Sequence, residues 1–343
     1  ETICRAIIND AKILILDEPT TALTTKEISL LYDILKKLRE KGMAIILVNH
    51  KLNEIYEIAD RLTILRNGEN VATGTLDEFS NERFITCMTG RELKQTVYHP
   101  KPSNEKIIEV KNISLGGAFS NVSFELYKGD ILGITGLLGS GRSEIGEALF
   151  GLHKIDSGHV ILNGEEKRIT SIQDAVKSKI AYVPEDRLTE GLFLDESIQD
   201  NTIAASLKKY KIKYRMSRIN MMKTTQEWIK RLGCVARSPE AAIRTLSGGN
   251  AQKIVIAKWL NTDPKLLILN GPTVGVDVGA KADIHDILHD LAGKGVIIIS
   301  DDLQEILQNC NKILVIQKGK CKGMIDSCDL DEKCLQSMLG GTK

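Results

Sequence analysis

The feature that most constrains this chain is a glycine-rich loop between a strand and a helix. Residues 130–135, Asp-Ile-Leu-Gly-Ile-Thr, read as a strand, and Gly136-Leu-Leu-Gly-Ser-Gly-Arg-Ser143 follows directly. Residues 144–150 then have helical character. Gly-x-x-x-x-Gly-Lys-[Ser/Thr] in this context wraps phosphates with backbone N–H groups at a helix N-terminus. Glycines are needed because side chains would block the approach and some positions need positive φ. Gly136, Gly139, Ser140 and Gly141 are therefore candidate phosphate contacts, and the Ser143 hydroxyl stands where a Mg²⁺ ligand belongs. Arg142 replaces the expected Lys; it keeps the charge but brings a bulkier fork. The alternative reading is a glycine-rich turn without a ligand, which the strand–loop–helix context disfavours.

The second constraint is an internal repeat. Lys12-Ile-Leu-Ile-Leu-Asp-Glu-Pro-Thr20 is similar to Lys265-Leu-Leu-Ile-Leu-Asn-Gly-Pro-Thr273, an offset of 253 positions. Leu52-Asn-Glu-Ile55 is similar to Leu303-Gln-Glu-Ile306 at an offset of 251, so the second copy is two residues shorter before Leu303. Residues 107–253 precede the second copy and have no counterpart ahead of the first. The organisation expected is 1–97 as the C-terminal part of one unit, 98–106 as a linker with two prolines, and 107–343 as a complete unit. The sequence begins with Glu1 inside a helix-like stretch, 2–8. The front of the first unit, roughly 150 residues, is expected before it. Short β-branched runs (13–16, 44–48) alternate with amphipathic helices (26–41, and one starting at 51). That pattern argues for a mainly parallel sheet covered on both faces.

A hydrophobic strand ending in Asp17-Glu18 supplies a carboxylate for Mg²⁺ and an adjacent one that can activate or orient water. A helix-capping Asp beside a solvated Glu is the alternative. The second copy has Asn270 and Gly271 there, and glycine can do no acid–base chemistry, which tells against hydrolysis at that site.

With Leu246-Ser-Gly-Gly-Asn-Ala-Gln-Lys253 added, the chain resembles the ATP-binding-cassette ATPases over nearly its whole length. The tandem arrangement, Arg142, Tyr182-Val-Pro-Glu-Asp-Arg187, the Asn of the signature and Gly275-Val-Asp-Val-Gly-Ala-Lys281 resemble the second cassette of monosaccharide-type importers for ribose, galactose, xylose or autoinducer-2. The implied fold is α/β: a P-loop NTPase cassette with a mixed, mainly parallel sheet, flanking helices and a helical subdomain, here one complete cassette plus the C-terminal part of another. The resemblance implies ATP and Mg²⁺ as ligands. It makes His50 the switch histidine that contacts the γ-phosphate beside the catalytic Glu18. Glu185 takes the position that senses the permease, and Ser247, Gly248 and Gly249 the signature that caps the nucleotide. Asp277 falls in the D-loop, and Asp301 occupies the switch position of the second cassette. Family architecture further implies two composite sites, the first hydrolytic, the second degenerate. Implied partners are membrane permease subunits and, indirectly, an external sugar-binding protein, at the cytoplasmic face of the cell membrane. Two other readings are a non-hydrolysing nucleotide-binding module and a soluble tandem cassette acting on ribosomes or DNA.

Composition excludes other classes. Among 343 residues, 46 Lys and Arg balance 45 Asp and Glu, so bulk charge does not predict nucleic-acid binding. No apolar run reaches 18 residues, no signal-peptide pattern opens the sequence, and seven scattered cysteines have no zinc-site spacing. The basic run 208–215, with interleaved tyrosines, has a pattern that can mark nucleic-acid or anionic-membrane contact; in a chain of balanced charge it reads as a solvated helix face. Phe119, or Leu115 instead, is a candidate for stacking on adenine, with core packing the alternative. Trp228 and Trp259 read as helix packing, and His285 and His289 lack a third metal ligand.

Overall fold

The computed structural model describes residues 11–20, 25–49, 52–66, 68–90, 98–99, 103–291 and 293–340. The expected helix at 2–8 and His50 lie outside them. Contacts divide the chain into two compact units, 1–94 with 277–279, and 95–276 with 280–343.

In the first unit β1 (Ile13–Asp17) pairs in parallel with β2 (Ala44–Val48). The intervening helix, Thr25–Glu40, buries Leu31, Tyr32, Leu35 and Leu38, at helical spacing, against Leu14 and Leu16 of β1. A helix, Leu52–Ile58, leads into the antiparallel pair β3 (Arg61–Arg66) and β4 (Glu69–Thr75). Helix Asn81–Thr89 closes over that pair through Phe84. Ser80 caps this helix and Gly90, at φ 81°, ends it in the left-handed conformation.

The second unit is built on one ten-stranded sheet. Its strands are β5 (Lys106–Leu115), β6 (Phe119–Tyr127), β7 (Ile131–Gly136), β8 (Ser157–Leu162), β9 (Glu165–Glu166), β10 (Ile180–Val183), β13 (Leu266–Asn270), β14 (Gly295–Ile299), β15 (Lys312–Gln317) and β16 (Lys320–Asp326). A short hairpin of β11 (Lys211–Ile212) and β12 (Arg215–Met216) stands apart. The order is β10-β13-β14-β7-β15-β16-β6-β5-β8-β9. The first five strands run parallel and the remainder form a mainly antiparallel wing. Alternate residues of the parallel strands separate into two cores. Leu267, Leu269, Val296, Ile298 and Val315 pack on one side, and Leu266, Ile268, Ile297, Ile299 and Leu314 on the other. Burial of both faces explains why the interiors of these strands are almost continuously apolar.

Two expectations change. The run 208–215 is not a helix face: a 3₁₀ turn ends at Tyr210 and the rest forms the β11–β12 hairpin, with Tyr214 97% exposed. Phe119 is buried in the core of the wing and is not free to stack on a base, whereas Leu115 is only partly buried. Tyr98, the first residue of the expected linker, is anchored in the second unit. Its hydroxyl donates to the Gly129 carbonyl at 2.6 Å, and its ring lies 5.0 Å from that of His289. His289 donates to or accepts from Asn309, and His285 lies 3.2 Å from Glu305, so both histidines have structural partners.

Candidate functional site

Strand β7 ends at Gly136, and the loop enters helix Arg142–Leu149 through Gly141 at φ 94°. Gly139 is also left-handed, at φ 72°. Left-handed glycines of this kind let a backbone loop close around an anion, and the Ser140 N–H between them donates to the Leu137 carbonyl at 3.0 Å. Gly141 is required twice over, since a Cβ there would lie 2.5 Å from the Ala118 carbonyl. Ser140 Oγ is buried without a hydrogen-bond partner among the described residues. A buried orphan hydroxyl costs free energy unless a ligand or water satisfies it, so the loop fits a phosphate.

Ser143 donates to Asn270 Oδ1 at 3.3 Å, and Asn270 donates to the Tyr182 hydroxyl at 3.1 Å. Burial pushes the Tyr182 phenol upward, so it stays neutral and can accept. The loop serine and the end of β13 are thereby brought together. Oxygen donors from Ser143 and Asn270 suit Mg²⁺, a hard cation that also takes waters and substrate phosphates. Among the described residues no group of three His, Cys, Asp or Glu could hold a metal on its own.

Beside them opens a cleft of about 460 Å³ lined by Ser143, Glu147, Glu185, Asn270 and Gly275, among others. Glu185 is exposed there. Sequence reasoning gave no role to Arg187, which proves to be the tie of this region. Its guanidinium donates to the Val274 carbonyl at 2.5 Å and the Gly275 carbonyl at 2.8 Å. That fixes the loop carrying Glu185 to the loop after β13. The available signal was its position beside Glu185 and Asp186.

The signature opens helix Gly248–Leu260. Ser247 is its N-cap and accepts from the Asn250 N–H, while Asn250 Nδ2 donates back to Ser247 Oγ at 2.9 Å. Gly248 lies against Arg187 and the Gly275 carbonyl, with 2.8 and 3.0 Å for a Cβ placed there. A Cβ on Gly249 would collide with Ala280. The two glycines are thus required for packing as well as for an accessible helix N-terminus.

In the first unit Asp17 ends β1 and Glu18 follows it, and both are exposed. Glu18 has φ 41°, and its N–H donates to the Val48 carbonyl at 2.9 Å. A glutamate in the left-handed region is strained, and such strain gathers at functional sites. A pin missed from sequence lies next to it: Thr20 donates to Glu54 at 2.6 Å, and Asn49 donates to the same oxygen at 2.6 Å.

The sequence profile described as ABC transporter matches residues 119–274. The ribose import ATP-binding protein of Bacillus cereus is 40% identical over 344 residues, covering 99% of this chain and 69% of that protein. The chain belongs to the ATP-binding-cassette ATPases. The ribose import ATP-binding protein of Bacillus subtilis is 39% identical, again over 99% of this chain and 69% of its own length. The cassette fold itself appears in a nucleotide-free ATP-binding cassette from an ABC transporter, with a TM-score of 0.55 at 20% identity, covering 68% of this chain and 95% of that one. A dimeric cassette bound to ADP and Pi matches with a TM-score of 0.55 at 21% identity, covering 64% and 99%. Among the described residues no helix is long and apolar enough to cross a membrane.

Proposed function

We propose that this cassette protein binds and hydrolyses ATP to energise import of a monosaccharide of the ribose type. Its partners are membrane permease subunits at the cytoplasmic face and, through them, an external sugar-binding protein. The observation that carries this reading is the 40% identity to a ribose import ATP-binding protein across 99% of the chain. The phosphate loop supports it with left-handed glycines at 139 and 141 and an orphan Ser140 hydroxyl.

In this reading Glu18 activates the attacking water and Asp17 supports Mg²⁺. His50 is assigned the switch role. Gly136, Gly139, Ser140, Gly141 and Arg142 hold phosphate, Ser143 and Asn270 hold Mg²⁺, and Glu185 reports to the permease. Ser247, Gly248 and Gly249 offer a helix N-terminus to a γ-phosphate. Mg²⁺, when bound, neutralises phosphate charge. The loop N–H groups orient the phosphates, and the buried strand ends exclude water from the back of the site. We assign 1–97 to the end of one cassette, 98–106 to the connection and 107–343 to a complete second cassette.

A second reading, nucleotide binding without turnover, is favoured for the 107–343 cassette by Gly271 and Asn270 at its strand end. The test is affinity capture from solubilised membranes. The tagged chain should retain permease subunits and release them when Glu185 and its neighbours are altered; capture of ribosomes or DNA instead would reject the importer assignment.

A further inference from the structure

Two departures from the phosphate-loop pattern meet in space. Arg142 stands where the loop pattern has Lys, and Asp301 stands where the first copy has His50, at the repeat offset of 251. Arg142 Nη2 lies 3.3 Å from Asp301 Oδ2. Arg142 Nη1 donates to the carbonyl of Gly136, the first residue of the same loop. The guanidinium is thus folded back across its own loop, with its side chain only 7% exposed, against 67% for Asp301. The guanidinium reaches the carbonyl and the carboxylate with separate nitrogens of one rigid fork, Nη1 and Nη2.

The backbone around Asp301 is held from both sides. The Ser300 N–H donates to the Ile134 carbonyl of β7 at 3.1 Å. Asp302 caps helix Leu303–Asn309, accepting from the Gln304 and Glu305 N–H groups. Asp301 is therefore presented to the loop by rigid neighbours, while its own side chain remains in water and can rotate away. Among the described residues Arg142 is the only cation within ion-pair distance of it.

We propose that Asp301 is an internal competitor for nucleotide: it latches Arg142 across the phosphate loop, and a polyphosphate must displace it to bind. This rests on the reading of residues 136–143 as a nucleotide site. A pair with one exposed partner is weak, so the latch is reversible and lowers the apparent affinity by the fraction of molecules latched. Asp301 then sets affinity at this cassette in place of contacting phosphate as a switch residue.

The test is titration of the full chain with a fluorescent ATP analogue, read by anisotropy, with thermal melts to verify folding. Asp301→Ala should tighten binding about 3–10-fold, a 90% latched population corresponding to about tenfold. Asp301→Asn, which keeps the shape and loses the charge, should tighten it by a smaller factor. Glu190→Ala removes a charge from the wall of the adjoining cleft without touching Arg142 and is expected to change affinity less than twofold. Unchanged or weaker binding by both Asp301 variants overturns the latch. So does equal tightening by Glu190→Ala, which would mean general charge repulsion. Absence of binding by wild type and all variants overturns the nucleotide reading itself.

Discussion

The two copies of the strand-end motif share a backbone and differ in chemistry. At equivalent positions Glu18 and Gly271 both have positive φ, 41° and 55°. Both donate their N–H to the end of the neighbouring parallel strand, Val48 at 2.9 Å and Ile299 at 2.8 Å. The threonine–glutamate pin also recurs, Thr20 to Glu54 at 2.6 Å and Thr273 to Glu305 at 2.8 Å. Yet the second copy has exchanged Asp17 for Asn270, Glu18 for Gly271 and His50 for Asp301. The scaffold is retained because its backbone and buried polar groups have to be satisfied whatever the site does. The carboxylate is not, because nothing in the fold requires it. Glycine relieves the strain that the glutamate bears.

The largest effect should separate the copies by activity. In the intact protein with its permease, Glu18→Gln should lower ATP turnover by about 10²-fold or more, the range for loss of a general base. Gly271→Glu should leave turnover within twofold, because Asn270 and Asp301 remain. Added turnover from Gly271→Glu would mean that one residue separates the copies, and the broader contrast would fail.

A smaller effect concerns the pins. Thr273→Val should cost about 1–3 kcal/mol in denaturant unfolding, since Thr273 and Glu305 are 3% and 4% exposed. Thr20→Val should cost no more than that, because Glu54 keeps its bond from Asn49. The pin of the second copy also carries a pH signature. Burial alone would raise the Glu305 carboxyl. His285, then Ser300 and Thr273, outweigh it and hold the group below its usual value. A depressed carboxyl contributes stability above its unfolded pKa, about 4.3, and that contribution is lost as pH falls through the folded value. His285→Leu removes the leading partner, so acid unfolding should begin at higher pH; an unshifted midpoint would contradict this account.

The smallest effect tests strain. Glu18→Gly should gain up to about 1 kcal/mol, the left-handed strain less the glycine's chain entropy. Gly271→Ala should lose about 1 kcal/mol or more, since its Cβ would also lie 2.9 Å from Val274 Cγ2. Opposite signs at equivalent positions, read as shifts in Tm, would sharpen the comparison; equal signs would break it.

Much of the site was legible because it is written in short contiguous motifs. The glycines at 136, 139 and 141, the apolar strands ending at Asp17 and Asn270, and Ser247 before two glycines each have a local physical cause. Partners far apart in sequence were not legible. Arg187 reaches the Val274 and Gly275 carbonyls across 87 and 88 positions. The hairpin Lys211–Met216 was misread because its basic and aromatic residues carry no helical or strand period of their own. Phe119 was offered to adenine on sequence position alone, whereas its burial depends on how the wing strands pair.

The amino-acid sequence by itself determined the cassette class, the duplication and the loss of carboxylate chemistry in the second copy. Those depend on residue identity and spacing within a few turns of chain. Only the tertiary structure decided that Arg142 turns inward to meet Asp301, and that the threonine–glutamate pin survives in both copies. Such contacts join residues up to 159 positions apart, from Arg142 to Asp301. Those of the second copy exist only because β7, β13 and β14 lie side by side in the sheet and bring their ends together, and the first copy's pin depends in the same way on the pairing of β1 with β2.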